Sequence, residues 1–323
     1  MRPSHPGSRS AWSHVVLAAL VVTLFCLVAP RTSAQEGPRP TLGGHMFVST
    51  DLVPDALVRT YVRNSLGYTM TPEFDYPPVI VGGDTLLALD GSLAYAILGM
   101  EYQQRLEDWI ALRVGFGVRT RLGTQMSSLV SEGVNVTTGL ELGWLVRLRE
   151  TDRTALAATL DFTRQTLTLI DVRQFAEDVV NGEPDASLID DVPTVRTTGG
   201  LRFAWAASRP VGVTLLVEGS YGQSPRRDEV DSWEYGLGAS VDIDGAPAWG
   251  VPIGLAFAYR QTSLPVLTRT DNGNVRQTLM RIAYTGKPDF LIALDVTGVL
   301  DRENLEAESV WAGGAAFSLR YYF

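Results

Sequence analysis

The sequence predicts an all-β chain closed into an antiparallel transmembrane β-barrel of about twelve strands. Three observations carry that expectation. Stretches of roughly ten residues alternate apolar side chains with polar or small ones, the pattern of a strand that shows one face to lipid and the other to a polar lumen. The connections between these stretches alternate short and long. Aromatic residues gather at the two ends of the stretches. After the N-terminal segment no window reaches the roughly 20 apolar residues a spanning helix requires.

At the N-terminus, Arg2 and Arg9 precede an apolar run over residues 15–29, too short for a spanning helix and suited to the core of a signal peptide. Thr32-Ser33-Ala34 supplies small residues at the cleavage positions, so residues 1–34 read as a signal peptide with the mature start at Gln35. Cys26 is the only cysteine and leaves with that segment, which removes disulfides and thiolate chemistry from the mature chain. Leu24 and Phe25 stand where a lipoprotein needs small residues. Residues 35–58 start Gly- and Pro-rich and run into Met46-Phe47-Val48; they are expected to be a periplasmic segment or a plug entering the barrel, with residues 59–323 as the barrel.

Strands are expected near 59–70, 91–105, 109–122, 134–148, 154–169, 195–208, 211–222, 233–243, 252–262, 276–285, 290–300 and 311–323. Ile110, Leu112, Val114, Phe116 and Val118 alternate with Ala111, Arg113, Gly115, Gly117 and Arg119, and Trp233, Tyr235, Leu237, Ala239 and Val241 alternate with Glu234, Gly236, Gly238, Ser240 and Asp242. Short turns fall at 106–108, 149–153, 209–210 and 286–289, with a longer one at 244–251. Between them lie polar segments 71–90, 123–133, 170–194, 223–232, 263–275 and 301–310. In the segment 170–194, Val172, Phe175, Val179 and Val180 recur at helical spacing and predict a short amphipathic helix that folds inward or caps the rim.

The aromatic residues band independently of the alternation. Trp109, Trp144, Trp205, Tyr284, Phe290, Tyr321 and Phe323 fall toward one end of the strands; Tyr68, Tyr221, Trp233, Tyr259 and Trp311 fall toward the other. Two such bands suit rings at the two interfaces of a bilayer, whereas a soluble sandwich has no reason to form them.

Charges take the opposite face from the apolar residues, where a charge facing lipid at the midplane would cost ~2–4 kcal/mol. Candidate lumen residues are Arg113, Arg119, Arg121, Arg147, Glu141, Asp161, Glu218 and Arg260. The four arginines on two neighbouring strands either form a constriction that orients polar or anionic solutes, or join interior salt bridges with Glu101, Glu141 and Asp161. Ala312, Gly314, Ala316, Ser318, Gly254, Ala256, Ala258, Gly236 and Gly238 share that face and leave space. Asn64 and Arg164 have the wrong parity.

Catalytic and cofactor readings find little support. His5 and His14 leave with the signal peptide, so His45 is the only mature histidine; it is expected in a solvated N-terminal segment, a poor place for a general base. Asp242-Ile243-Asp244-Gly245 and Asp271-Asn272-Gly273-Asn274 resemble fragments of calcium loops but lack the distal Glu, and read as turns. No phosphate loop, dinucleotide fingerprint or zinc spacing occurs, so no cofactor and no enzyme is expected. A formal charge of −9 argues against a nucleic-acid partner.

The C-terminal segment adds a family likeness. Phe317, Leu319, Tyr321 and Phe323 alternate with Ser318, Arg320 and Tyr322, and the segment ends on Phe. It resembles the assembly signal of Gram-negative outer-membrane β-barrels. That resemblance implies an outer-membrane location, long extracellular loops, short periplasmic turns, contact with outer-membrane lipid and lipopolysaccharide, and handling by the barrel assembly machinery. Barrels of this strand number include passive channels, so a passive channel for small polar or anionic solutes is the leading expectation. A structural or adhesion barrel with a salt-bridged closed lumen is the alternative. A transporter of apolar compounds similar to the FadL-like proteins is the second alternative, although their Asn-Pro-Ala hatch motif is absent.

Overall fold

The computed structural model describes residues 41–70, 74–75, 79–81, 84–87, 90–91, 94–122, 133–170, 189–223, 232–265, 272–302 and 310–323. The expected signal peptide and the expected helix within 170–194 lie outside these residues. Twelve strands form one closed antiparallel barrel. They are β1 (Tyr61–Met70), β2 (Ala94–Glu107), β3 (Ile110–Leu122), β4 (Gly133–Glu150), β5 (Thr154–Ile170), β6 (Ile189–Ala206), β7 (Val211–Gly222), β8 (Ser232–Asp244), β9 (Ile253–Pro265), β10 (Asn272–Lys287), β11 (Phe290–Arg302) and β12 (Val310–Tyr322). Each pairs with its sequence neighbours, and β12 closes the ring on β1 with Tyr322 opposite Tyr61 and Gly313 opposite Met70. Closure matters because lipid offers no hydrogen-bond partners, so the backbone groups of a spanning sheet must be satisfied within the sheet.

Six connections leave from one end of the barrel, the loop end, and five from the other, the turn end. The longest turn-end connection holds a one-turn helix, α1 (Gly245–Trp249). Asp244 caps it by accepting from the Ala246 N–H at 3.1 Å, and Gly250 ends it at φ 70°.

Two expectations at the loop end are corrected. Strand β6 begins at Ile189, opposite Ile170, so Asp190, Asp191 and Pro193 belong to the ladder rather than to a loop. Asn272, Gly273 and Asn274 likewise start β10 and are not a turn. Polar residues mark loops in a soluble sheet, but strands that project beyond the bilayer tolerate them; Thr168 donates its hydroxyl to Asp191 across β5 and β6 at 2.6 Å. The connection expected over 71–90 contains two short ribbons, Phe74–Asp75 with Asp90–Gly91 and Val79–Val81 with Asp84–Leu87.

The outer face carries the apolar half of the alternation. Leu215, Val217, Leu237, Val241, Phe257, Met280, Ile282, Leu294 and Val296 are all exposed. Trp109, Trp205, Tyr284, Tyr321 and Phe323 are exposed toward the turn end, and Tyr68, Tyr221, Trp233 and Tyr235 toward the loop end. Phe323 stacks against Tyr321 at 5.8 Å and Tyr102 at 6.3 Å, which joins β12 to β2 across β1 in the turn-end band.

Buried apolar clusters inside the ring combine lumen-facing side chains with residues preceding β1. Leu42, Phe47, Ala56, Leu57 and Val58 cluster with Ala111, Leu145, Ala155, Ala157, Ala204 and Ala206; Val48 with Ala256, Ala283, Leu291 and Ala293; Val53 with Leu216, Ala258 and Leu279. The segment 41–58 therefore lies inside the barrel.

Candidate functional site

The segment enters at the turn end, where Thr41–Leu42 pairs with His45–Met46 around Gly43 and Gly44, at φ 57° and 78°. Two successive positive φ values make the tight hairpin turn that glycine accepts without strain. His45 follows, and it is fully buried rather than solvated. Its Nδ1 lies 2.9 Å from the Arg209 carbonyl and its Nε2 2.7 Å from Asp242 Oδ2, which also accepts from the Val48 N–H at 3.1 Å. The ring thus bridges the Arg209 carbonyl and the Asp242 carboxylate, and ties the entering chain to the turn before β7 and to β8. Gly212 makes the room: a Cβ there would collide with the imidazole.

From His45 the chain climbs to Leu52 and Val53 and returns to β1. Thr50 and Val53 close the apex, with the Val53 N–H donating to Thr50 Oγ1 at 3.2 Å. Three guanidiniums converge on Asp51: Arg63 bonds it, Arg281 lies at 3.3 Å and Arg320 at 3.8 Å. Burial would push the Asp51 carboxyl up, but the three cations outweigh it and hold it at about 2. Arg281 is fully buried. It makes a two-pronged pair with Asp295 at 2.6 Å and 2.6 Å, donates to the Ser49 carbonyl and reaches Ser318 Oγ at 3.3 Å. Gln103 anchors the returning chain by donating to the Arg59 carbonyl at 2.9 Å.

The small lumen residues expected to leave a free passage are, in the turn-end half, the seat of this segment. A Cβ on Gly254 would come within 2.5 Å of Val48 Cγ2, and one on Gly238 within 2.9 Å of Val53 Cγ2. Ala256 and Ala258 pack against Val48 and Val53. A Cβ on Gly236 would meet the Glu218 carboxylate instead.

Ion pairs between nearby strands line the lumen face of the wall around the plug. Arg113 bonds Glu141 and, at 2.8 Å, Asp161. Arg63 reaches Glu101 at 3.2 Å, and Tyr61 donates to the same carboxylate. Arg260 pairs with Glu218, and Arg196 with Glu234 at 2.5 Å. Of the expected site residues, Arg113, Glu141 and Asp161 are thus brought together, and Glu218 and Arg260 form a separate pair.

The four arginines do not form one cluster. Arg147 lies at the turn end paired with Glu150 at 2.6 Å, beyond the position where Val146 faces Ile110. Arg121 is buried at the loop end of β3, opposite Tyr95. At roughly 3.3 Å per residue, about a dozen strand positions separate the two levels by some 40 Å. Parity reports the face of a strand and not the height along it.

Arg119 lines a cavity of about 650 Å³ in the loop-end half. Tyr95, Ile97, Thr137, Thr163, Gln165 and Leu167 share its wall, and Arg63, Glu101 and Glu141 lie at its inner end. The residues missed from sequence are Asp51, Arg63 and Arg281. Arg63 and Arg281 carried a legible signal, the same parity as the other lumen charges. The expected assembly-signal residues Phe317, Tyr321 and Phe323 are exposed on the outer face of the C-terminal strand region, and Leu319 shares their face half-exposed.

No family model matches the sequence, and no curated protein matches it by sequence. Among solved structures, an outer-membrane channel from Pseudomonas putida F1 superposes with a TM-score of 0.53 at 12% identity, over 86% of this chain and 100% of that one. The NanC porin gives 0.48 at 7% identity over 82% and 100%, and the Pseudomonas putida toluene transporter TodX 0.46 at 10% over 82% and 90%. The likeness is one of fold. It places the chain's architecture with outer-membrane β-barrels, in agreement with the strand pattern.

Proposed function

We propose that the protein is an outer-membrane channel for small polar solutes, entered from the loop end on the cell exterior and stoppered on the periplasmic side by its own segment 41–58. The observation that carries this reading is the cavity in the loop-end half, whose wall sets Arg119, Thr137, Thr163 and Gln165 among Tyr95, Ile97 and Leu167. A carrier of apolar compounds needs a continuous apolar tunnel, and this wall interrupts its apolar residues with charges and hydroxyls. The ion pairs around Asp51 support a second reading, a structural barrel whose plug never leaves.

Single-channel recording of the refolded barrel separates the two. Wild type is expected to conduct little or in brief openings, and a chain with Asp51→Asn and Asp55→Asn to conduct more. Silent bilayers for both, with folding verified by heat-modifiable migration, would favour the structural reading. Sidedness has its own check. A cysteine placed at Asp152 or Lys287, both at the turn end, is expected to react with a membrane-impermeant maleimide only after the outer membrane is opened.

A further inference from the structure

The arginines facing the lumen divide by their partners. Arg63, Arg113, Arg196, Arg260, Arg281 and Arg320 each have a carboxylate within salt-bridge distance. Arg202 and Arg119 have none among the described residues; Arg202 is buried, and Arg119 is exposed in the cavity wall. Among the described residues Arg119 is thus an accessible lumen guanidinium without a carboxylate partner, and it stands in the wall of the cavity.

Beside it the wall is bare. Gly99, Gly117 and Gly139 face one another across β2, β3 and β4 in a single transverse row. The last two are not demanded by packing: a Cβ on Gly117 would find nothing nearer than the Leu98 carbonyl at 3.9 Å, and one on Gly139 would lie 3.4 Å from Gln165 Cγ. Neither has the positive φ that requires glycine. Glycine inside a strand weakens it, so glycines without a packing or backbone reason keep a volume open. The volume lies within the roughly 300–1,000 Å³ typical of small-molecule sites.

We infer that this cavity binds a small hydroxylated organic monoanion, its carboxylate on Arg119 and its body against the glycine row. The guanidinium fork matches a carboxylate with two parallel hydrogen bonds. Thr137, Thr163 and Gln165 offer hydroxyl and amide groups to the body of the solute. A second negative charge is disfavoured, because the inner end of the cavity presents the Glu101 and Glu141 carboxylates, whose guanidinium partners they already share with Asp51 and Asp161. This assignment rests on the channel reading for the route of entry, but its test needs no conduction.

The full-length mature barrel in detergent is titrated with gluconate, neutral sorbitol and inorganic phosphate by isothermal calorimetry. Gluconate is expected to bind saturably, and sorbitol and phosphate at least about tenfold more weakly. Arg119→Gln and, separately, Gly117→Leu are expected to weaken gluconate by about tenfold while migrating as folded barrels. Equal binding of gluconate and sorbitol, or unchanged binding in Arg119→Gln, would overturn the proposal. Phosphate binding as tightly as gluconate would overturn the carboxylate assignment. A barrel that binds gluconate without conducting would keep the site and sink the channel, whereas one that conducts without saturable binding would sink the site alone.

Discussion

The two halves of the lumen are built from the same strands and the same residue types, yet one is filled and the other is hollow. In the turn-end half, Gly212, Gly238 and Gly254 are glycines because His45, Val53 and Val48 occupy the space a side chain would take. In the loop-end half, a Cβ on Gly117 would stand 3.9 Å from the nearest atom and one on Gly139 would meet Gln165 only in ordinary contact. The charges differ in the same way. Arg281, against the plug, is fully buried with every prong engaged, while Arg119 in the loop-end half has no carboxylate partner among the described residues. A small residue on a lumen face is therefore ambiguous until the chain that does or does not lie against it is known.

The filled half should be broken most severely at Arg281. Arg281→Ala leaves Asp295 a buried carboxylate without its partner and removes the hold on Ser49. A loss of about 3–5 kcal/mol is expected from urea unfolding in lipid vesicles. Joining Arg281→Met to Asp295→Leu should restore most of it, since removing both charges costs far less than stranding one. A double variant as unstable as the single would show that the plug, not the pair, sets the stability.

Asp51→Asn should act more mildly, by about 1–3 kcal/mol, and mainly on the seating of the plug. The pH dependence has a fixed sign. Folding lowers this carboxyl from 3.8 to about 2, so its contribution is complete above the ordinary carboxylate range and is lost as pH falls from 3.8 through 2. Limited proteolysis at Arg59 is expected to stay slow from pH 8 to about pH 4 in wild type, and in the Asn variant to be faster throughout. Equal rates in the two proteins at neutral pH would remove Asp51 from the seat.

Sequence made the strands and their faces legible because period two is a local property of each segment. Charge parity therefore placed Arg113, Glu141 and Asp161 on the lumen side before any pairing was known. The plug was less legible, since segment 41–58 has no period to read, and its contacts come from residues far along the chain, such as His45 with Asp242 and Ser49 with Arg281. His45 was expected in solvent for that reason: nothing near it in sequence offers a partner. The grouping of Arg147 with Arg113 failed differently. Counting positions from the short turn expected at 149–153 puts Arg147 at the turn end, because height along a strand is as local a property as its face.

The smallest effects sharpen the comparison furthest, because they put one substitution in each half. Gly212→Ala adds a methyl where the His45 ring and the Asp242 carboxylate already stand, and relief would need the ring or β7 to shift. Overpacking of that kind costs about 1–3 kcal/mol. Gly117→Ala adds the same methyl to a strand with the same backbone freedom, but with 3.9 Å to the nearest atom. It should gain about 0.5–1 kcal/mol, the usual return for replacing glycine inside a regular element. Unfolding midpoints in the same lipid should then move in opposite directions for one and the same change. Two shifts of equal sign and size would mean that the segment does not hold the turn-end half filled in the membrane, and the distinction between the halves would fall with it.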